Sequence, residues 1–249
     1  MGDSVHPGYA SLDLAPFRHL PALAWSEDLY RVDEALTDLV DRHAARLLAE
    51  HGGGVAPDRR EPALRLAARL AGRTPAGSDD LDARIAALRH LAAGTFDLVE
   101  RAAAVYPAWL RGDPGPEAAL LGPGAAGLWE RYFSNDNLPY AAVNGIAAFA
   151  ADRRAAGRPL SVLEVGGGCG SAAEALLERI ASRLVEYRFT DVQPWFLRRG
   201  EDLLRRRFPG VPLSVGRLDL DRDLGEQGVG PASFDLVHAV NTLHVARPV

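Results

Sequence analysis

Two hydrophobic rhythms divide the chain. Up to about residue 130, apolar residues recur at helical spacing and no strand pattern is visible. From Leu160 onward, short apolar runs alternate with periodic segments, the layout of strand–helix units in a parallel sheet. In the first region, Leu29, Val32, Leu36, Leu39, Val40, Leu47 and Leu48 predict one long helix. Ser26 is its expected cap, Glu27 and Asp28 suit its first turn, and Gly52, Gly53 and Gly54 are its expected stop. A shorter helix is expected over 62–70. Another begins at Ser78, carries Leu81, Ile85, Leu88 and Leu91, and restarts after Gly94 through Phe96 and Val99 to Tyr106. Residues 1–24 read as a loosely ordered lead-in, and 112–127, rich in proline and glycine, as a linker with at most a turn or two of helix. A helix over 140–154 has Val143, Ile146, Ala147 and Ala150 as its expected apolar face, with Tyr140 and Asn144 one turn apart.

The stretch over 160–191 carries the chemistry. Leu160 to Val165 reads as a strand, glycines follow at 166, 167, 168 and 170, and Ala172, Leu176, Leu177 and Ile180 mark one face of a helix. Strand, glycine turn and helix is how a doubly wound sheet opens a nucleotide site, because main chain must approach the ligand closely. A second strand, Tyr187 to Thr190, runs into Asp191, placed where a ribose-binding acid follows one crossover. The turn does not match a dinucleotide fingerprint: Gly166 and Gly168 fit, but Ser171 stands at the sixth place. Instead, Glu164, Gly166, Gly168 and Gly170 alternate, an acid followed by a wide glycine turn that suits a cofactor without a pyrophosphate. Walker-type phosphate binding is excluded, since the chain has no lysine.

Further strands are expected from Leu213 to Leu218, ending at Asp219, and from Phe234 to Val240. The latter reads as a central strand, apolar on both faces, with Asn241 to His244 exposed at the carboxyl edge and His238 inside the core. Between them and the second strand, a helix over 195–208 has Phe196, Leu197, Leu203 and Leu204 on one face and arginines 198, 199, 205, 206 and 207 on the other. That second face is either solvated or a docking patch for an acidic partner.

Composition narrows the class. The 249 residues are 47% hydrophobic and 24% charged, ordinary for a folded globular chain. A net charge of −5 argues against a nucleic-acid binder with a broad basic field. The single cysteine, Cys169, cannot form an internal disulfide, which points to the cytoplasm. No run is long enough to span a membrane. The histidines at 19, 43, 51 and 90 lack paired metal spacing, and no metal site is expected.

Four segments together, GRPLSVLEVGGGCG, YRFTDVQPWFL, LDLDRDLGEQG and SFDLVHAVNTLH, resemble class I S-adenosylmethionine-dependent methyltransferases, and among them the carbon-methyltransferase domains of modular polyketide synthases. The resemblance spans about 158–247, with a weaker echo over 132–144. It implies an α/β fold: a Rossmann-like doubly wound parallel sheet, incomplete at its carboxy-terminal end, preceded by an all-helical lid. The implied layout is a helical domain over 1–130, a connecting helix region over 131–157 and a cofactor-binding core of four strands over 158–249. The cofactor is S-adenosyl-L-methionine, held by Glu164, Gly166, Gly168, Gly170, Asp191, Asp219, Leu220 and Asn241. Within this set Asp219 takes the adenine amino group and Leu220 lies against the ring. His244 stands where the family has a base that deprotonates a carbon between two carbonyls of a carrier-bound thioester, so an acyl carrier protein or its bound substrate is the implied partner. Cys169 departs from the family's usual threonine. A full core of this type continues with a fifth strand and an antiparallel pair, and the family's glutamate partner of the histidine lies there. A downstream or second polypeptide is therefore expected to complete the sheet. Two other readings stay open: an oxygen or nitrogen methyltransferase acting on a small metabolite, and a structural module that keeps the sheet without the chemistry. The helical half is likewise either a packing domain or a lid.

Overall fold

The computed structural model describes residues 26–51, 54–71 and 78–246. The lead-in over 1–24, the glycine stop at 52 and 53, and the side chains of Ser26, His19 and His51 lie outside what is described. Helices come first: α1 (Ser26–His51), α2 (Arg60–Leu70), α3 (Ser78–Leu110), α4 (Gly115–Leu121), α5 (Ala126–Tyr132) and α6 (Leu138–Ala155). Alternating units follow: β1 (Leu160–Glu164), α7 (Ser171–Ile180), β2 (Leu184–Asp191), α8 (Pro194–Arg207), β3 (Leu213–Arg217) and β4 (Leu236–His238).

The amino-terminal helices form their own core. Val32, Ala35 and Leu39 of α1 pack on Leu81, Ile85, Leu88 and Phe96 of α3. The α3 helix breaks at Ala92, where φ is −146° and ψ is 40°, two residues before the expected restart. Gly94 serves helix contact instead. A Cβ there would lie 2.3 Å from the carbonyl oxygen of Arg131, so α3 and α5 touch main chain to main chain. The expected linker over 112–127 holds the seven-residue α4, a 3-10 turn at Pro123–Ala125 and the start of α5.

The expected apolar face of α6 is the wrong one. Val143 and Ile146 are 51% and 43% exposed, whereas Ala142, Asn144, Ala148, Ala151 and Ala155 are buried. From Asn144 the buried set runs at helical three-and-four spacing, and its small side chains let α6 lie close on α7, where Ala173, Leu176 and Leu177 belong to the same core cluster as Ala148 and Ala151.

The sheet has the order β3-β2-β1-β4, with every pairing parallel. At its centre, β1 is buried on both faces, as its apolar run requires. Val162 and Tyr187 face α7 with Leu176 and Leu177, while Leu163 and Val165 face the opposite cluster with Leu218. The fourth strand is shorter than the expected 234–240: only Leu236–His238 are extended, and Val237 is 61% exposed at the open edge expected of an incomplete sheet. Among the described residues it pairs with β1 alone.

Strand alternation also settles the position of Glu164. It shares the face of Val162, pointing beneath α7 rather than toward the open edge, and is 1% exposed. The Tyr187 hydroxyl donates to its Oε2 at 2.9 Å, and its Oε1 has no hydrogen-bond partner. Burial, reinforced by the Asp191 charge and opposed by the Tyr187 hydrogen bond, pushes its carboxyl from 4.5 up to about 8. In the register position beside it, His238 is 5% exposed, and burial lowers its imidazole to about 4.

This packing sets two expectations. Ala148→Leu is expected to cost about 1–3 kcal/mol by overpacking the α6–α7 seam, while Ile146→Ala changes stability by less than about 0.5 kcal/mol; equal denaturation midpoints for the two variants would refute the assignment of faces. The second concerns pH. With its folded pKa raised, Glu164 contributes stability that is whole below about 4.5 and is lost as pH rises toward about 8. His238, with its pKa lowered, acts in the opposite sense and only between about 4 and 6.5. Between pH 6.5 and 8 the Glu164 effect stands alone, so stability falls across that window and Glu164→Gln removes the fall. Parallel pH profiles for the two proteins would contradict this.

Candidate active site

A cleft of about 480 Å³ opens at the carboxyl ends of the strands, where parallel sheets bind ligands. Its floor is the turn after β1. Gly166 has φ of 63°, and a Cβ on it would stand 1.9 Å from the Thr242 hydroxyl oxygen, so both conformation and space demand glycine. Gly168 has φ of 56°, and nothing lies within 4 Å of where its Cβ would be: main chain is bare toward the cleft. The turn is tied to β2 by Gly167 N–H donating to the Thr190 carbonyl at 2.8 Å and Gly168 N–H donating to Asp191 Oδ2 at 3.0 Å.

Asp191 is 6% exposed and borders the cleft. Its Oδ1 accepts the Gln193 N–H at 2.8 Å, so each carboxylate oxygen meets one main-chain donor and keeps a further lone pair. Asp219 and Leu220, just past β3, also border the cleft. Gln227 holds this segment, with Nε2 donating to the Asp219 carbonyl and Oε1 accepting the Asp219 N–H, each at 2.8 Å.

The fourth wall comes from α5, α6 and the segment after β4. Phe133 packs edge-on to Tyr140 at 5.2 Å and to Phe196 at 6.1 Å, extending an aromatic cluster that includes Trp129 and Tyr132. Asn241, at φ of 52°, donates from Nδ2 to the Tyr140 hydroxyl, joining the edge after β4 to the start of α6. Burial raises the Tyr140 phenol to about 12, so it remains a neutral hydrogen-bonding group. Asn144, one turn further along α6, also stands in the cleft wall.

The structure thus gathers Gly166, Gly168, Asp191, Asp219, Leu220 and Asn241 around one cleft. Glu164 lies beneath it. Gly170 caps α7 and packs on Gly200, with its would-be Cβ 3.2 Å from the Gly200 Cα. His244 is exposed in the 3-10 turn Leu243–Val245, beside Val245 and Ala246, which border the cleft. Phe133, Gln193, Gln227 and Thr242 are site residues that sequence reasoning misses. Gln193 does carry a signal, standing directly before Pro194 at a helix start, but Gln227 has none.

A second, polar cavity of about 680 Å³ adjoins the first at Phe133, Cys169 and Ser171. Here the arginine face of α8 meets acids: Arg199 pairs with Glu130, and Arg207 with Glu174 and Glu178. Burial and the nearby Glu130 charge push the Cys169 thiol up to about 12, so it stays protonated. Among the described residues there is no group of three or more metal-ligating side chains, and no helix is long and apolar enough to cross a membrane.

Comparison with known proteins agrees with this geometry. Residues 163–249 match the family described as Methyltransferase domain. Over 88 residues the chain is 35% identical to the highly reducing polyketide synthase verA of Penicillium polonicum, a stretch that is 35% of this chain and 3% of that much longer protein. In fold it is similar to the CurJ carbon methyltransferase, with a TM-score of 0.66 at 20% identity over 93% of this chain and 70% of that one. The trans-methyltransferase CalH, solved in complex with SAH, gives a TM-score of 0.59 at 19% identity over 89% of this chain and 65% of that one. At such identities the structural likeness speaks to fold. Residues 163–249 thus match a methyltransferase domain, and the chain resembles a polyketide synthase in sequence over that segment and a carbon methyltransferase in fold.

Proposed function

We propose that the cleft holds S-adenosyl-L-methionine and that the domain methylates a carbon of an acyl thioester tethered to a carrier protein. The observation that carries the cofactor reading is the pairing of a bare glycine main chain at Gly168 with the nearly buried Asp191 carboxylate, both on the cleft. The residues fit the group: Asp191 has lone pairs left for two vicinal hydroxyls, Leu220 offers an apolar surface to a base, and Asp219 an acceptor to its amino group. Bound there, the sulfonium supplies an electrophilic methyl group.

What the chain's own residues contribute is position and a base. The aromatic wall of Phe133 and Tyr140 shields one side of the cleft from water, and the glycine turn allows main chain to lie against the cofactor. His244, on the turn after β4, takes the proton from a carbon lying between two carbonyls. The carbon so deprotonated is the nucleophile toward the methyl group that S-adenosyl-L-methionine would supply from the cleft. The carrier-bound acceptor is supported by the likeness to a polyketide synthase and to a carbon methyltransferase. In this reading the helices before α6 act as a lid, and a further polypeptide covers the open edge of β4.

Isothermal titration with S-adenosylhomocysteine tests the cofactor reading. Each hydrogen bond to a charged acceptor is worth about 1.5–3 kcal/mol, so Asp191→Ala, which removes two, is expected to weaken binding by about a hundredfold or more. Unchanged affinity would remove Asp191 from the site. For the acceptor, transfer of labelled methyl to a β-ketoacyl carrier thioester is expected, with hydroxylated small molecules left unlabelled; the reverse pattern would replace carbon methylation by oxygen methylation. His244→Ala is expected to lower turnover by about a hundredfold or more with cofactor affinity intact, and retained turnover would end the base assignment.

A further inference from the structure

Beneath the cleft, two buried polar atoms on neighbouring strands are left unmet. Glu164 Oε1 on β1 and His238 Nε2 on β4 make no hydrogen bond. The two residues are register partners in the parallel pairing of β1 with β4. Their backbones therefore stand about 5 Å apart and their side chains leave the sheet on the same face. Both reach the first turn of α7. The imidazole donates to the Ala172 carbonyl, and the Ala173 N–H donates to the Glu164 carboxyl.

Counting donors fixes what each atom has left to offer. Because Nε2 is unbonded, the imidazole proton given to Ala172 sits on Nδ1, and Nε2 is an acceptor. The Glu164 carboxyl receives the Tyr187 hydroxyl at Oε2 and the Ala173 N–H, so a carboxyl proton falls to Oε1. Burial favours holding that proton: it raises the carboxyl to about 8 and lowers the imidazole to about 4. The other titratable groups acting on the pair are Tyr187 and Asp191, both on β2, and the buried faces of α6 and α7 bring none. One unmet donor thus stands beside one unmet acceptor with no direct bond between them. Buried polar atoms are rarely left so, and a single water with two such partners is the ordinary way to satisfy both.

We infer that Glu164 and His238 form a neutral donor–acceptor link through one buried water, and that this link ties the edge strand β4 to the centre of the sheet. The strand needs such a tie. It is three residues long and, among the described residues, pairs with β1 alone, so few ladder bonds hold it. Asn241 and Thr242, which border the cleft, follow it closely, and His244 stands six residues beyond His238. Glu164 and His238 are therefore positioning residues for the β4 side of the rim; that His244 benefits as a base rests on the reading proposed above.

The test uses ligand-free protein, so its failure is distinct from failure of the cofactor reading. By nitrogen NMR, His238 is expected to be neutral with its proton on Nδ1 inside the window between about 4 and about 8. Amide hydrogen exchange reads the link itself. Glu164→Leu and His238→Leu are each expected to quicken exchange of the β4 amides, relative to those of β2, by about threefold to tenfold. The double variant is expected to add nothing further, as befits one shared interaction. Glu164→Gln, whose NH₂ still donates but does not titrate, is expected to keep wild-type exchange. A cationic His238 in that window, unchanged β4 exchange in the leucine variants, or effects that multiply in the double variant would each overturn the inference. Should the leucine variants not fold, the wild-type spectrum and the Glu164→Gln exchange decide it.

Discussion

The Asp191 carboxylate is the knot of the structure. It lies at the end of β2, yet it takes the N–H of Gly168 from the turn after β1 and the N–H of Gln193 at the start of α8. One charged group therefore locks the turn, the neighbouring strand and the following helix into a single rim, and charge-assisted bonds of this kind are the strong ones. The bond is possible only because the turn is built of residues without side chains at Gly166 and Gly168, which hold positive φ and leave no Cβ to fill the cleft. Phe189 closes the arrangement from below: it fills the space that side chains at Gly167 and Gly200 would need, so β2 also sets how near α8 can come.

A second set of bonds brings the helical half to that rim. Asn135 and Asn144 reach Ser171 at the start of α7, Tyr140 reaches Asn241 beyond β4, and Phe133 touches both Tyr140 and Phe196. Through Gly94 and the Arg131 carbonyl the same region is braced against α3. The helices before β1 are thus joined to the cleft by specific contacts and not merely by chain connection. The combined surface offers carboxylate acceptors at Asp191 and Asp219, bare main chain at Gly168 and aromatic rings at Phe133 and Tyr140.

How much of this the sequence discloses varies with the kind of signal. The turn with Asp191 is legible because glycine at fixed spacing and an acid after a crossover each answer a local steric or electrostatic need. The face of α6 is not, because in a helix so rich in alanine the two larger residues, Val143 and Ile146, attract attention although close packing rewards the small ones. Glu164 reads as a ligand group from its place before the glycines, but period-two alternation turns it under α7 beside Tyr187. β4 is three residues long where hydrophobicity suggests seven, because an apolar run marks burial and not ladder pairing. Gln227 holds Asp219 through side-chain bonds to main chain, a service many residue types can render, so nothing in its surroundings announces it.

On the proposed reading, the bare main chain at Gly168 and the Asp191 carboxylate together seat an adenosyl ligand, and the rest depends on that placement. The most direct measurement is a crystal structure of the protein grown with S-adenosylhomocysteine. The account predicts density in the cleft, with both ribose hydroxyls on Asp191 and the ligand against the glycine turn. Density elsewhere, or a turn whose Gly168–Asp191 bond is broken to admit the ligand, would contradict it.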